Sequence, residues 1–389
     1  MSEPVLSPFI IKQLGAYAQY PPEVQSEVVK LMLKMTSFGF ISKFTKAEVG
    51  PLVTTYYFEP SPQAALSSIY SREDDLALGL SVESIMVSRE LGNITIAVPR
   101  AQRDVIKFDE CLFNLFSNPV SRDAALPILM GKTLKGEPLF MDLASQPHLL
   151  IAGATGSGKS IFTAQAICSL ALRRTPQELE FILADTKQLD LVLFEKLEHV
   201  SSVIRNIHDL RDTLQNLIAL VRSRTAIMSG YARNVVEWNS ATKSPMKYKV
   251  LIIDEFADVV GSDREWLNTL PKKERPEAID TLTQRLAQIS RAAGIHIILA
   301  TQRPSVKIIS GDIKTNFPAR IAFKLPSMQD SRVILDENGA EKLLGRGDYL
   351  YKIAGSDVVK RAHSAFVEIK DISLILEQHE SLREQFQLT

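Results

Sequence analysis

The sequence predicts an α/β protein with a mainly parallel sheet covered by helices, preceded by a small α+β domain. Downstream of Gly136, short apolar runs alternate with helical stretches, which is typical of parallel sheets. Upstream of it, strand and helix patterns occur without that alternation. Of the 389 residues, 45% are hydrophobic and 23% charged, which indicates a globular protein with a sizeable core. We therefore predict an arm at 1–25, a small domain at 26–104 and a large domain at 105–389.

The N-terminal quarter contains a proline-rich segment followed by helix and strand patterns. Residues 1–25 carry four prolines around a short apolar run and are predicted to form an arm. Apolar residues recur at helical spacing from Glu27 to Phe40. The segment SREDDLALGL predicts a helix with Ser71 as its N-cap. Strands are predicted at Val49–Pro60 and Asn93–Pro99, where β-branched and aromatic residues are frequent.

The large domain contains five predicted strands joined by helices, the longest of which runs from about Asp209 to Met228. A charged, proline-containing segment from Gly261 to Glu277 is predicted to be a surface loop. The strands are predicted at His148–Gly153, Leu179–Asp185, Tyr248–Glu255, Gly294–Thr301 and Ala319–Leu325.

The segment GATGSGKS fits the phosphate-binding pattern G-x-x-x-x-G-K-[ST], known as a P-loop. Its glycines let backbone N–H groups point into one cavity, Lys159 reaches the β and γ phosphates, and Ser160 offers a hydroxyl to Mg²⁺. A strand precedes the segment and a helix follows it, which places the phosphates at a helix N-terminus. The pattern predicts an ATP and Mg²⁺ site formed by Gly153, Ala154, Thr155, Gly156, Ser157, Gly158, Lys159 and Ser160.

Acidic and polar residues follow the other apolar strands. Asp254, at the end of KVLIIDE, is predicted to hold the Mg²⁺ shell together with Ser160, and Glu255 to polarise the attacking water. The alternative is that Glu255 only caps a loop. Gln302 is predicted to sense the γ-phosphate, and its alternative is a loop amide that satisfies backbone groups. Asp185 and Lys187 face the same edge of the sheet, and a purely structural role is equally open for them.

The formal net charge is zero, because 45 Lys and Arg residues balance 45 Asp and Glu residues. No global field therefore attracts nucleic acid, and any polyanion must bind a local patch. From Gln284 to Lys324 the only acid is Asp312, and the chain holds seven cations: Arg285, Arg291, Arg303, Lys307, Lys314, Arg320 and Lys324. This stretch suits contacts to a phosphate backbone, or it is a solvated face with salt bridges, or one arginine acts on a neighbouring subunit's nucleotide.

Cysteine usage and hydropathy indicate the compartment. Cys111 and Cys168 are the only cysteines and form no CxxC pair, which favours a reducing, cytoplasmic setting. No run reaches 18 apolar residues and no secretory signal precedes the first domain. We therefore expect no membrane insertion by this chain.

Several longer segments carry a family resemblance. PHLLIAGATGSGKS, VLIIDEFADVV, RAAGIHIILATQRPS, IKTNFPARIAFKL, SRVILDENGAEKLLGRGDYLY and RAHSAFV together resemble the motor of the FtsK/SpoIIIE family of double-stranded DNA translocases. GPLVTTYYFEPSP, NITIAVPR and MGKTLKGEPLFMDLA resemble that family's small α domain and its connection to the RecA-like β domain. The resemblance extends from about Val28 to Val367.

The resemblance implies a RecA-like P-loop ATPase that assembles into a ring, usually a hexamer, and threads duplex DNA through its centre. Lys159, Ser160, Asp254, Glu255 and Gln302 match the family's phosphate, Mg²⁺, water-activating and sensor positions. The segments with Lys272, Lys273 and Lys314 resemble its pore loops, and we add Lys307 to the expected DNA contacts. Arg320 is the expected trans-acting arginine, with Arg291 and Arg332 as second choices.

Two departures from the family pattern modify these expectations. The family's chromosome-segregating members carry membrane-spanning helices upstream and a winged-helix module downstream, so we expect this chain to be a motor-only relative. The family's Asp-Pro-Lys is here Asp185, Thr186 and Lys187, so we expect a different turn. The rival hypotheses are an ATPase of a secretion or conjugation machine and a regulatory nucleotide switch. We also consider that residues 1–25 recruit a protein partner.

Overall fold

The chain folds into two compact units. The computed structural model describes residues 18–90, 92–356, 358–368, 370–373, 375 and 381. The first unit comprises the described residues up to Val105 together with 134–137, and the second comprises the described residues from 106 to 133 and from 138 onward. Residues 1–17 of the predicted arm lie outside the described residues.

The first unit consists of a four-stranded antiparallel sheet and three helices. Its strands are ordered β1-β2-β4-β3, and its core joins the apolar face of the first helix to β2 and β4. The elements are α1 (Pro22–Ser37), β1 (Ser42–Val49), β2 (Val53–Pro60), α2 (Leu66–Tyr70), α3 (Glu73–Leu80), β3 (Met86–Glu90) and β4 (Asn93–Pro99).

Three details of the first unit differ from the sequence prediction. Helix α1 begins at Pro22, so residues 22–25, which were assigned to the arm, form its first turn, where the fixed φ of proline suits a helix start. Ser71 is the C-cap of α2 and not the N-cap of α3, because an extra short helix precedes it. The strand predicted at Val49–Pro60 begins only at Val53, because Val49 ends β1 and a turn held by the Gly50 N–H to Val53 O bond separates β1 from β2.

Up to residue 368, the described residues of the second unit contain ten strands and nine α-helices. Its strands are β5 (Pro127–Thr133), β6 (Pro138–Asp142), β7 (His148–Ala152), β8 (Leu179–Ala184), β9 (Val200–Ile204), β10 (Tyr248–Ile253), β11 (Ile295–Thr301), β12 (Ala319–Phe323), β13 (Asp348–Lys352) and β14 (Lys360–His363). Its helices are α4 (Leu112–Ser117), α5 (Pro119–Asp123), α6 (Lys159–Arg173), α7 (Ile207–Met228), α8 (Val235–Ala241), α9 (Phe256–Thr269), α10 (Ile279–Ile289), α11 (Gly311–Asn316) and α12 (Met328–Leu335).

The sheet of the second unit has the order β6-β5-β14-β13-β12-β7-β11-β10-β8-β9. Strands β12, β7, β11, β10, β8 and β9 pair in parallel, and the four strands beyond β12 pair antiparallel. This confirms the predicted fold class and its five strands, each of which ends within two residues of the prediction. The carboxyl ends of β7, β11, β10 and β8 therefore meet at one edge, where ligands of such sheets bind.

The predicted surface loop at Gly261–Glu277 is wrong over its first half. Helix α9 continues to Thr269 and buries Val259, Val260 and Leu267, and only residues 270–278 leave the α-helical conformation. The prediction failed because the many charged residues lie on the solvent face of an amphipathic helix. Among the helices of the described residues, none has the length and apolar character needed to span a membrane.

Candidate active site

The P-loop connects β7 to α6 at the centre of the sheet edge. Gly153 N–H donates to Thr301 O of β11 at 3.2 Å, and Ala154 N–H donates to Lys324 O beyond β12 at 3.0 Å. Gly158 has φ +120° and packs so closely on Gly347 that an added Cβ would lie 2.8 Å from the Gly347 nitrogen. Gly347 N–H in turn donates to Ser157 O at 2.8 Å. Backbone contacts from three neighbouring segments therefore fix the loop.

The start of α6 offers free N–H groups to an anion. The first N–H groups of a helix have no intrahelical acceptor, and they carry the positive end of the helix dipole. No side chain caps the N-terminus of α6, whose N-cap is Gly158. Ser157 Oγ is also buried without a hydrogen-bond partner in the described structure. These donors fit the phosphates of a nucleotide.

Lys159 and Asp254 form a buried ion pair. The Lys159 Nζ lies 2.9 Å from Asp254 Oδ1 and 2.9 Å from the Asp254 carbonyl oxygen, and the two side chains are 3% and 7% exposed. These contacts use two of the three N–H donors of the ammonium group. Asp254 follows β10 and Lys159 opens α6, so the structure brings together the two residues that were predicted from separate motifs.

Glu255 is held by the end of β11. Its Oε1 accepts from the Thr301 hydroxyl at 2.7 Å, and its Oε2 accepts from the Gln302 N–H at 2.9 Å. The Gln302 side chain accepts from the hydroxyl of Thr155 in the P-loop at 2.8 Å. Glu255 is 4% exposed, and its bonds come from another strand and not from its own loop. The carboxylate is therefore fixed at the sheet edge that bears the phosphate loop.

The turn after β8 adds a further acid to the site. Asp185 Oδ2 accepts from the N–H groups of Leu189, Asp190 and Leu191 at 3.0, 3.1 and 3.0 Å. Asp190 then accepts from the Ser160 hydroxyl through Oδ2 at 2.5 Å. Lys187 turns outward and pairs with Asp258 at 2.5 Å. Asp185 thus shapes the turn, while Asp190 reaches the P-loop.

The residues at this edge fit a magnesium ion bound together with a nucleotide. The described residues contain no group of three or more His, Cys, Asp or Glu side chains that could hold a metal by themselves. Mg²⁺ usually takes only one or two protein ligands and completes its shell with phosphate oxygens and water. Ser160 and Asp254 are oxygen ligands of this kind, and the buried Asp185 Oδ1 has no hydrogen-bond partner in the described structure.

The predicted DNA-contacting lysines are in different environments. Lys272 and Lys273 are exposed on the short 3-10 turn that follows α9. Lys307 is exposed, and its carbonyl accepts from Arg264 at 3.1 Å. Lys314, in contrast, pairs with Asp336 at 2.6 Å.

Arg320 shares Asp336 with Lys314. Its Nη1 lies 2.6 Å from Asp336 Oδ2 and also donates to Ile334 O, while Nε and Nη2 donate to the carbonyls of Phe317 and Lys314. The Arg320 side chain is only 12% exposed. The guanidinium therefore links the ends of α11 and α12 within one chain, and its predicted action on a neighbouring subunit stays a prediction.

Two functional candidates escaped the sequence analysis. Asp190 follows Asp185 by five residues in a segment without periodicity, and only the turn brings it to Ser160. Thr301 was noted as a strand end and given no role. The usable signal was that Thr301 and Glu255 end parallel strands at the same edge of the sheet.

Two sequence models match most of the chain. The model of the FtsK/SpoIIIE family matches residues 117–306, and that of the FtsK alpha domain matches residues 13–100. The DNA translocase FtsK of Treponema pallidum (strain Nichols) is 36% identical over an alignment of 381 positions, which covers 93% of this chain and 46% of the relative. That of Rickettsia typhi (strain ATCC VR-144 / Wilmington) is 35% identical over an alignment of 397 positions, which covers 91% of this chain and 51% of the relative. The chain thus spans about half the length of these relatives.

Solved structures show the same fold. The monomer form of the pCW3 conjugation coupling protein TcpA with ATPγS has a TM-score of 0.62 at 20% identity and covers 92% of this chain and 99% of that chain. The cytoplasmic domain of the type VII secretion ATPase EccC from Thermomonospora curvata has a TM-score of 0.55 at 24% identity and covers 69% of this chain and 33% of that chain. These similarities support the P-loop ATPase fold.

Proposed function

The chain belongs to the FtsK/SpoIIIE family, and on that premise we propose that it is an ATP-dependent motor that moves double-stranded DNA through a ring of identical subunits, expected to be a hexamer. The observation that carries the proposal is the placement of Glu255. Its carboxylate is buried and held by Thr301 and Gln302 at the sheet edge that also bears the P-loop. A protein that only binds nucleotide has no need of a fixed base there.

In this proposal each residue of the edge has one task. The N-terminus of α6 binds the phosphates of ATP, and Lys159 moves from Asp254 towards the phosphates when they bind. Ser160 and Asp254 would hold Mg²⁺, which when bound would neutralise charge on the phosphates. Glu255 orients a water molecule and accepts its proton, and Gln302, bound to Thr155, links the phosphate loop to the segment that leads to Lys307.

We propose that DNA contacts the exposed lysines on the two segments that run away from this edge of the sheet. Lys272 and Lys273 follow α9, whose N-cap is Glu255, and Lys307 lies in the loop that begins at Gln302. Nucleotide-dependent movement of the helix or of the loop would therefore displace these lysines. Contacts to backbone phosphates give affinity without sequence readout, as a motor that moves along DNA requires. Lys314 contributes to this surface less directly, because Asp336 neutralises part of its charge.

The first experiment measures ATP hydrolysis by the purified chain with and without long duplex DNA. We expect duplex DNA to raise the rate, and Glu255→Gln to abolish hydrolysis while nucleotide still binds. Glu110→Gln is the matched control, since Glu110 is exposed and lies outside the site. A rate that DNA does not change, or a Glu255→Gln variant with normal turnover, would show that the proposal is wrong.

The second experiment tests the DNA contacts. For duplex DNA, the slope of log affinity against log salt is about −0.9 for each phosphate neutralised. The double variant Lys272→Ala/Lys273→Ala should therefore reduce the magnitude of the slope by about 1.8 if both lysines contact phosphates. Lys196→Ala/Lys243→Ala removes two exposed lysines elsewhere and should leave the slope unchanged.

The second candidate function is an ATPase of a conjugation or secretion machine. Its support is the similarity in fold to TcpA and EccC. Relatives that are about 36% identical to this chain carry the name DNA translocase, which favours the main proposal. The alternative predicts stimulation by a protein substrate and little salt-dependent affinity for DNA. The cytoplasmic location and a protein partner for residues 1–25 stay predictions.

A further inference from the structure

The hydroxyl of the P-loop serine donates its proton to an acid that none of the sequence motifs contains. Ser160 Oγ lies 2.5 Å from Asp190 Oδ2, whereas Asp254, the acid expected to share the metal with Ser160, is paired with Lys159. Asp190 is half-buried and comes from the turn after β8, not from the P-loop or β10. The contact therefore joins two parts of the site that are 30 residues apart in sequence.

The sheet itself fixes the position of Asp190. Asp185, only 1% exposed, binds the N–H groups of Leu189, Asp190 and Leu191 with one carboxylate oxygen. Gln188 closes the turn with φ +57°, a left-handed conformation that few residue types adopt readily. Strand β8 pairs with β10 in register up to Ala184 and Ile253, so Asp185 and Asp254 follow adjacent strand ends. Asp190 is thus held against the same edge that bears Asp254.

This arrangement determines which atoms of Ser160 face a cation. A serine hydroxyl has one proton and two lone pairs. When the proton is donated to the Asp190 carboxylate, the lone pairs remain for a metal ion. A carboxylate that accepts a hydrogen bond from a metal ligand orients that ligand and raises its basicity towards the metal. Loss of such a carboxylate typically lowers the metal affinity about 10- to 100-fold.

We propose that Asp190, presented by Asp185, is a positioning residue for the Mg²⁺ that binds with nucleotide. It acts through the Ser160 hydroxyl and does not itself touch the phosphates. The inference rests on the proposed function and deepens it, because it assigns the metal affinity of the site to an acid outside the P-loop and the β10 motif.

The test measures binding of the fluorescent nucleotide mant-ADP to the full chain, first in EDTA and then during titration with Mg²⁺. For Asp190→Ala we expect an affinity for mant-ADP in EDTA within about twofold of that of the unsubstituted chain. The Mg²⁺ concentration that gives half of the maximal increase in mant-ADP binding should be about 10- to 100-fold higher. Asp190→Asn keeps an acceptor oxygen, so its half-maximal Mg²⁺ concentration should lie between those of the unsubstituted chain and of Asp190→Ala. Asp212→Ala, an exposed acid on α7, is the matched control. Electron paramagnetic resonance of Mn²⁺ with ADP gives a second, activity-independent readout of metal binding.

Two results would overturn the inference. An unchanged Mg²⁺ and Mn²⁺ dependence in both Asp190 variants would show that Ser160 needs no acceptor. An equal loss of nucleotide affinity in EDTA and in Mg²⁺ would show that Asp190 only shapes the loop, and Asp190→Asn makes this comparison even if Asp190→Ala folds poorly. If the original chain does not bind mant-ADP in either condition, the proposed function itself fails.

Discussion

Removing the Thr301 hydroxyl should weaken the support of Glu255, the proposed catalytic base, without weakening the binding of nucleotide. Thr301 is fully buried, and its hydroxyl donates to Glu255 Oε1 at 2.7 Å. Thr301→Val keeps the volume of the side chain and deletes this donor, leaving that oxygen only the longer contact to the Gln302 N–H at 3.2 Å. It also removes the acceptor of the Arg303 N–H, which lies 3.2 Å from the Thr301 hydroxyl oxygen. The Thr301 side chain makes no hydrogen bond to the P-loop in the described structure, so the phosphate site is untouched.

The size of the effect follows from the strength of the bond. A hydrogen bond to a charged group contributes about 1.5–3 kcal/mol. Because 1.36 kcal/mol corresponds to a tenfold change in rate, we expect a fall in kcat of about 10- to 100-fold if the bond orients the base. Nucleotide affinity should stay within about twofold.

The assay is steady-state ATP hydrolysis with saturating duplex DNA, combined with mant-ADP binding. Thr283→Val is the matched control, because Thr283 is equally buried and its hydroxyl donates to Ile279 O at 2.7 Å within α10. A Thr301→Val variant with a kcat within twofold of the original chain would refute the reasoning. So would a loss of affinity as large as the loss of rate, since the threonine would then support the whole site and not the base.

Three further predictions concern the frame of the site. Gly347→Ala should lower the free energy of unfolding by more than about 1 kcal/mol and weaken mant-ADP binding. The φ of Gly347 is +101°, and the new Cβ would lie 2.7 Å from Ser364 Oγ. The control is Gly230→Ala, at φ +82° with no atom within 4 Å of the new Cβ. It should lower the free energy of unfolding in urea by less and leave mant-ADP binding unchanged. Burial lowers the pKa of His148 to about 3 and of His296 to about 4, below the usual 6.5. Below pH 6.5 the unfolded chain therefore binds more protons than the folded chain. The free energy of unfolding should fall as the pH is lowered from 7 to 5, with a slope below pH 6.5 of up to about 1.4 kcal/mol per pH unit for each histidine. A constant free energy of unfolding over this range would contradict the prediction. Finally, Arg320→Ala should lower the melting temperature because it loses its bonds to Asp336 and three carbonyls, whereas the exposed Arg332→Ala should not. If Arg320 also acts in trans, mixing Arg320→Ala with Glu255→Gln subunits should restore part of the ATPase rate, and no recovery would contradict that role.

The sequence predicted the residues of the phosphate and acid motifs better than the residues that hold them in place. Lys159 and Glu255 stand in motifs whose chemistry depends on local order along the chain, so pattern and function coincide there. Asp190 and Thr301 act through contacts between different strands, and such contacts depend on the order β7-β11-β10-β8, which periodicity does not reveal. The strands of the antiparallel flank, β5, β6, β13 and β14, were missed because that flank lacks the strand and helix alternation on which the prediction relied. Helix α9 was missed for the opposite reason, since its charges hid an apolar face.

The structure also changes the interpretation of the cation-rich stretch from Gln284 to Lys324, because acids from other parts of the chain pair with some of its cations. Along the chain, the stretch from Gln284 to Lys324 has a single acid, yet Glu277 and Asp336 lie outside the stretch and pair with three of its seven cations. Among the described residues, the other four cations of the stretch make no ion pair: Arg291, Arg303, Lys307 and Lys324. Two of these four cations, Arg303 and Lys307, lie on the segment that follows Gln302, whereas Arg291 precedes β11 and Lys324 follows β12. In the proposed function, Arg303 and Lys307 bring attraction for a phosphate backbone next to the nucleotide site, and this proximity is what the coupling of hydrolysis to movement requires.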